Sequence, residues 1–262
     1  MKRTSALVGS MMLTAILLTP ALSASVSAAT SSPTVVTIQF DDGNANQYTA
    51  LGLLNTYGMH ATFYVNSGVI GDATHMSWAQ LTDLATTGNE IASHTVFHTN
   101  IKKLKTAAAR QAVCGDRVNL FDHGFQPVSF AYPFGSFDAG SEAIVKACGF
   151  NSGRGVSGVN DRKVFAETIP PPDAYATRTP PNPKQGTTLA TIEGYVTAAQ
   201  ANGGGWVQLV FHNICNACDA YSITQADFTT LLTWIQSQEP GGVTVQTTAQ
   251  VVGGSIQPPV QP

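Results

Sequence analysis

Short runs rich in β-branched and aromatic residues (VVTIQF, HATFYVN, NEIAS, PVSFAY, WVQLVF, VTVQ) alternate along this chain with stretches whose apolar residues fall at helical spacing. Trp78, Leu81, Leu84 and Ala85 form one such stripe, and Phe228, Leu231, Leu232 and Ile235 another. Strands separated by helices pair in parallel through right-handed crossovers, because a tight hairpin cannot return the chain in the same direction. About seven such units fit before residue 250, a number that suits a (β/α) barrel, complete or not, better than a sandwich. No dinucleotide fingerprint follows the first strand, which argues against an open nucleotide-binding sheet. With 262 residues, 43% of them hydrophobic and 11% charged, one sizeable core and a single domain are expected.

The ends of the chain read differently from its middle. Residues 1–29 combine a basic start (Lys2, Arg3), an apolar stretch broken by Pro20 and a small-residue exit, SVSAA, the three parts of a secretory signal peptide. The alternative, an uncleaved anchor, is disfavoured because Pro20 shortens the apolar run below a comfortable bilayer span. The domain is therefore expected over 30–250, with 251–262 (ending GGSIQPPVQP) as a flexible tail or linker, and 168–190, rich in Pro and Thr, as a long loop. No internal repeat is visible. Loss of Lys2 and Arg3 takes the formal charge from −3 to −5 with the acids dispersed, so nucleic acid is not an expected partner. A secreted, extracellular chain without a membrane span, and a monomer, is expected. Four cysteines permit three pairings; in an oxidising compartment we expect Cys114–Cys148 and Cys215–Cys218, and rank a zinc-thiolate role for the Cys-x-x-Cys pair well below.

In a parallel barrel, loops at the carboxyl ends of the strands converge on one rim, so catalytic groups should follow strands directly. Asp41 and Asp42 follow TIQF, His94 and His98 follow NEIAS, Phe134 and Gly135 follow VSFAY, and His212 follows VQLVF. Two imidazoles four apart share one side of a helical turn, as a metal pair requires. Alone, such a pair is more often two hydrogen-bonded loop histidines. An added aspartate makes a three-ligand site with room for water and substrate, suited to one divalent ion, zinc first, with Co2+, Ni2+, Mn2+ or Fe2+ also compatible. Asp-Asp-Gly is equally a turn composition. Successive side chains at a strand end diverge, so one aspartate could bind metal while its neighbour stays free to accept a proton. His60, His75 and His123 lack partner spacing, and Trp78 and Trp206 read as packing; Tyr48, Tyr132, Tyr175 and Tyr221 are candidates for stacking on sugar.

Taken together, FDDG at 40–43, SHTVFH at 93–98, YPFG at 132–135 and LVFH at 209–212 resemble the motifs of polysaccharide deacetylases, carbohydrate esterase family 4, and GMHATFYVNSG at 58–68 is similar to that family's second strand. The resemblance spans about residues 35 to 247, and its most specific parts are FDDG and the H-[ST]-x-x-H pattern. It implies a distorted (β/α)7 barrel, with Asp41 as general base, Asp42, His94 and His98 as metal ligands, and Thr95 supporting the ligand loop. It further implies the Phe134 N–H as an oxyanion donor, His212 as general acid, and Leu209, Val210 and Tyr132 about the acetyl pocket. Two departures stand out. The arginine that many members carry two residues before the motif proline is Ala131 here, and the acidic-and-tryptophan motif that holds the acid histidine is missing. Arg154, after what should be the next strand, is a candidate to orient Asp41 instead. YPFG without that arginine resembles the branch that includes poly-N-acetylglucosamine deacetylases.

The function implied is secreted, metal-dependent hydrolysis of N-acetyl groups on an amino-sugar polysaccharide of the chitin, peptidoglycan or poly-N-acetylglucosamine type. Two other classes remain: an acetyl ester hydrolase on xylan, and a carbohydrate-binding homologue without turnover.

Overall fold

In the computed structural model, residues 33–160 and 162–262 are described, together with Met1 and Ser5. The chain divides into Met1–Thr30 and Ser31–Pro262, and all that follows concerns the second unit; the signal peptide expected over 1–29 lies outside the described residues. Among the described residues, ten strands run in chain order as β1 (Thr34–Phe40), β2 (Ala61–Val65), β3 (Glu90–Ser93), β4 (Ser129–Ala131), β5 (Ser152–Gly158), β6 (Thr177–Thr179), β7 (Gly205–Phe211), β8 (Asn213–Ile214), β9 (Ser222–Ile223) and β10 (Val243–Val245). The helices are α1 (Ala50–Tyr57), α2 (Trp78–Thr86), α3 (Thr106–Asp122), α4 (Ala139–Ala147), α5 (Leu189–Ala201), α6 (Gln225–Ser237) and α7 (Thr248–Val252).

The main sheet is parallel and curls into a barrel, as the alternation predicts, of the distorted (β/α)7 kind that the resemblance implies. β1 is its centre: β7 pairs along its whole length on one edge, while the other edge is shared between β10 at Thr34–Val36 and β2 at Ile38–Phe40. From β2 the order continues through β3, β4 and β5 to β6. Between β6 and β7 the ladder gives way to single contacts. Gln208 donates to the Arg178 carbonyl at 2.9 Å, and Glu167 bridges Trp206 in antiparallel sense.

Each strand has two buried faces of different character. Val36, Ile38 and Phe40 face outward into the main core with Leu54, Leu81, Val196, Phe228 and Leu232 from the surrounding helices. The intervening residues face the barrel interior, which is polar: Gln39 bonds Gln208 and Thr248, Thr62 bonds Glu90, and the Tyr64 hydroxyl donates to Thr248 Oγ1 at 3.1 Å. These bonds offset much of the cost of burying polar groups, although Gln39 Oε1 and Glu90 Oε1 are buried without a partner. Thr248 opens α7, so this short helix closes the floor of the barrel.

Two segments differ from the sequence-based expectation. Residues 168–190 are not wholly loop; they contain β6, fixed by a bidentate ion pair from Arg178 to Glu167 at 2.9 and 2.6 Å, with Glu167 only 2% exposed. β5 (SGRGVSG) is poor in strand-forming residues. Its glycines are required by close approach, since a Cβ at Gly153 would lie 2.6 Å from the Tyr132 hydroxyl and one at Gly155 2.7 Å from the Phe137 ring. Arg154 therefore sits within this strand and not after it. Both expected disulfides are formed, Cys114–Cys148 joining α3 to the end of α4 and Cys215–Cys218 closing a tight loop after β8. The terminal residues 253–262 carry no helix or strand but are tied down: Arg117, 0% exposed, donates to the carbonyls of Gln257 and Pro258, and Asn151 to that of Gly253.

Candidate active site

The two adjacent aspartates part at the end of β1. Asp41 continues the inward alternation of Thr37 and Gln39, is 4% exposed, and forms a buried ion pair with Arg154. The register explains how an arginine on β5 arrives there: Arg154 pairs directly beside Ala131 of β4, and the small side chain leaves room for the guanidinium. Beneath it lies the Tyr64 ring, 4.8 Å from Arg154 Cζ, itself packed against Ala92 and Ala131. Burial acts to raise the Asp41 pKa, but the charge of Arg154, aided by His94 and His212, outweighs it and holds the carboxyl below its ordinary value of 3.8.

Asp42 turns the other way. Its φ of +79° swings the carboxylate towards the loop after β3, where its Oδ1 lies 3.6 Å from His94 Nε2 and 3.4 Å from His98 Nε2. These separations are too long for hydrogen bonds. They are what ligands at about 2.05 Å from a tetrahedral ion would show, about 3.4 Å apart. Asp42 Oδ1 is buried with no hydrogen-bond partner, a cost that a cation would remove. Among the described residues, Asp42, His94 and His98 are the group whose donor atoms all lie within 4.8 Å of one another, so the donor set fits a divalent ion.

The histidine pair does not use a helical turn. β3 stops at Ser93, and Thr95 and His98 both have positive φ (+69° and +52°), so the loop coils back to bring the rings together, centroids 4.8 Å apart. His94 Nδ1 donates to the Ala131 carbonyl at 2.7 Å, which leaves Nε2 as the free donor. Burial, with the neighbouring His98, lowers its pKa to about 4 against the opposing pull of Asp41 and Asp42, so the ring is neutral as a ligand must be. Thr95 Oγ1 accepts from the Thr99 N–H at 2.9 Å and holds the loop closed.

Three supporting residues escaped the sequence reading. Asn66 donates to the carbonyls of His94 and Thr95 at 2.6 and 2.9 Å. Asp116 on α3, wholly buried, accepts from Ser67 N and Ser93 Oγ. Gln47 donates to the carbonyls of both Asp41 and His212, tying the ends of β1 and β7. A signal existed for Asp116: it occupies a position in the buried stripe Ala109, Ala112, Val113, Leu120, where a lone acid must have partners.

His212 follows β7 with its Nε2 4.0 Å from Asp41 Oδ2, and its buried Nδ1 has no hydrogen-bond partner. The Tyr221 ring lies 5.1 Å from the imidazole. Phe134, at φ +61°, borders the cleft and leaves its ring 67% exposed, 4.5 Å from His98. The cleft, about 720 Å3, is lined by Asp41, Asp42, His94, His98, Phe134 and His212, with Tyr132 and Val156 among its apolar lining. Leu209 and Val210 do not line it. Both are 2% exposed because β7 is covered on both faces, and Leu209 belongs to the outer core. Of the candidate tyrosines, Tyr132 and Tyr221 line the cleft. Tyr48 bonds Asp83 away from it, and Tyr175 donates to the Phe150 carbonyl.

Comparison with known proteins bears on the fold that carries these residues. Residues 28–153 match the family model described as polysaccharide deacetylase. YxkH of Bacillus subtilis (strain 168), named as a polysaccharide deacetylase, is 32% identical over 121 residues, 45% of this chain and 43% of its own length. The matched region thus spans less than half of that relative, and 46% of a second one, the uncharacterized protein SCO4760 of Streptomyces coelicolor. Among solved structures, the peptidoglycan deacetylase PdaC of Bacillus subtilis superposes with a TM-score of 0.55 at 16% identity, covering 84% of this chain and 90% of its own. The Xyl-CE4 domain of a multidomain xylanase from the hindgut metagenome of Trinervitermes trinervoides gives 0.53 at 14% identity, covering 84% and 90%. At such identities these two establish the shared fold alone. Residues 28–153 of this chain, just under half of it, thus match the polysaccharide deacetylase family model, and the barrel on which they lie is the fold these solved structures share.

Proposed function

We propose that this protein is a secreted, metal-dependent deacetylase that hydrolyses the N-acetyl groups of an amino-sugar polysaccharide. The observation that carries the proposal is the division of labour at the end of β1: Asp42 faces two imidazoles while Asp41, one residue earlier, is held apart by a buried arginine. Binding alone would need only the first of these.

Asp42, His94 and His98 would hold the ion, zinc by the character of its donors. When bound, such an ion lowers the pKa of water towards about 7 and polarises a carbonyl. Asp41, kept ionised by Arg154, accepts the proton of the attacking water. The Phe134 N–H, at the cleft wall, donates to the oxyanion that develops on the acetyl oxygen. His212 stands across from the ligands beside Asp41 and delivers a proton to the departing nitrogen. Tyr132 and Val156 supply apolar wall for the acetyl methyl. Arg154 acts through Asp41 as a positioning residue, which removes the difficulty raised by Ala131.

Acetate release tests this directly. Release from N-acetylglucosamine oligomers, lost with chelator and restored by zinc, is the expected outcome. Release confined to acetylated xylan would make the protein an ester hydrolase, and release from neither would make it a binding protein. Asp42→Ala should abolish zinc uptake in a metal titration. Asp41→Ala should retain zinc but lose acetate release, and an unimpaired Asp41→Ala would refute the assigned base. Recovery of a chain lacking about the first 29 residues from the medium tests secretion.

A further inference from the structure

Most large apolar side chains of this protein are covered, and the exposed aromatic rings are not scattered. Among the described residues they are Phe97 (65%), Phe134 (67%) and Tyr221 (37%), and all three stand on the rim that carries the candidate metal ligands. Phe97 lies in the loop after β3 and Phe134 follows β4, on one side of β1; Tyr221 lies beyond β7, on the other. Asp42 is therefore between them. Phe97 is also fixed in place. Its ring rests on Gly68, where a Cβ would fall 2.3 Å from the ring, and Gly68 N–H donates to the Val96 carbonyl at 2.9 Å. A second hollow of about 250 Å3 lies between Phe97 and the candidate ligands Asp42 and His98 and shares Asp42, Asn44 and His98 with the lining of the main cleft. An exposed aromatic ring held rigidly beside a reactive centre is a binding surface for a ligand with an apolar face.

The rest of the lining narrows that ligand. Asn44, Asn46, Asn182 and Asn213 face the cleft, with both donors and acceptors, and Asn182 Oδ1 is buried without a partner. The lining contains Asp41, Asp42 and Asp219 and no lysine or arginine; Lys184 lies outside it, its Nζ 5.3 Å from the Tyr221 ring centre. An anionic polymer would meet carboxylates with nothing to pair its charges. A pyranose offers what remains: an apolar C–H face with hydroxyls at its edge.

We propose that Phe97 and Phe134, with Tyr221 across the ligand cluster from both, form a stacking track for an uncharged pyranose chain that extends to both sides of the sugar being deacetylated. This rests on the deacetylase reading given above. The consequence is a preference for positions within a chain over a free monosaccharide, with Phe97 as a specificity-determining residue that touches none of the reacting groups.

The test is a chain-length series of N-acetylglucosamine oligomers from mono- to hexasaccharide, comparing the unaltered protein with Phe97→Ala and Phe97→Tyr. kcat/KM should rise with length, and Phe97→Ala should lower it by about tenfold on the hexasaccharide, as expected for truncating a contact aromatic. That loss should lie in KM with kcat kept, the disaccharide should be unaffected, and Phe97→Tyr should restore the long-chain rate. Equal loss on short and long substrates, or none on either, would overturn the proposal. Hyaluronan oligomers of matched length should be poor substrates, and equal rates would overturn the neutral-chain assignment. If the unaltered protein releases no acetate from any oligomer, the deacetylase reading fails by itself. Calorimetric binding of the hexasaccharide then decides the track, which stands if Phe97→Ala weakens binding and falls if it does not.

Discussion

Asp41 and Asp42 are neighbours in sequence and differ in everything that matters to their chemistry. The first is buried, faces the barrel interior and is paired; the second leaves the strand through a left-handed conformation and points at two imidazoles. The pairing of Asp41 with Arg154 is the more fragile arrangement, because a buried charge that loses its partner keeps its desolvation cost. Arg154→Ala should therefore destabilise the fold by on the order of 3–5 kcal/mol, measured as a shift in urea midpoint, and should lower kcat more than KM. Arg154→Lys keeps the charge but not the planar stack on Tyr64, so it should recover stability in part and kcat less. Equal recovery of both would show that charge alone positions the base.

Among the elements, α3 carries more than packing. Its buried face supplies Asp116 to Ser67 and to Ser93, just before His94, and Cys114, two residues earlier in the same buried segment, bonds Cys148 at the end of α4. The disulfide closes a sequence separation of 34 residues, and in the chain-entropy account a loop of that size contributes about 3–4 kcal/mol. Replacing both cysteines by alanine should lower the urea midpoint by a corresponding amount and leave acetate release near its original rate, since neither cysteine borders the cleft. Loss of activity at temperatures where the variant remains folded would mean that α3 positions the metal loop through this bond. β5 shows the opposite dependence: it has little strand propensity of its own and exists because Tyr132 and Phe137 press on its glycines.

For the whole molecule, the polar interior makes stability depend on pH. The Asp41 carboxyl titrates below its ordinary 3.8 in the folded state, so the unfolded chain binds its proton first as acid is added. The stabilisation by its pairing is thus fully present above about pH 4 and is lost as pH falls through the folded value. Urea midpoints of the unaltered protein and of Asp41→Asn should converge on going from neutral pH to about pH 3, and a constant difference would exclude Asp41 as the linked group. The same interior explains how α7 belongs to the barrel, because Thr248 receives or gives hydrogen bonds to Gln39, Thr62 and Tyr64 from two separate strands.

What the sequence determined by itself was periodic or contiguous. Alternation of strand-like and helix-like runs dictated a parallel barrel, and the strand ends named Asp41, Asp42, His94, His98 and His212, because a parallel barrel must place such positions on one rim. The short-range disulfide and the helix stripes were legible for the same reason. What only the tertiary structure decided were the long-range relations: that Arg154 stands beside Ala131 and reaches Asp41, that Asn66, Gln47 and Asp116 brace the loops, that Leu209 and Val210 sit behind the cleft, and that Tyr221 flanks His212. These depend on the stagger between neighbouring strands and on the coiling of loops through positive φ, and both are settled by packing between segments far apart in the chain.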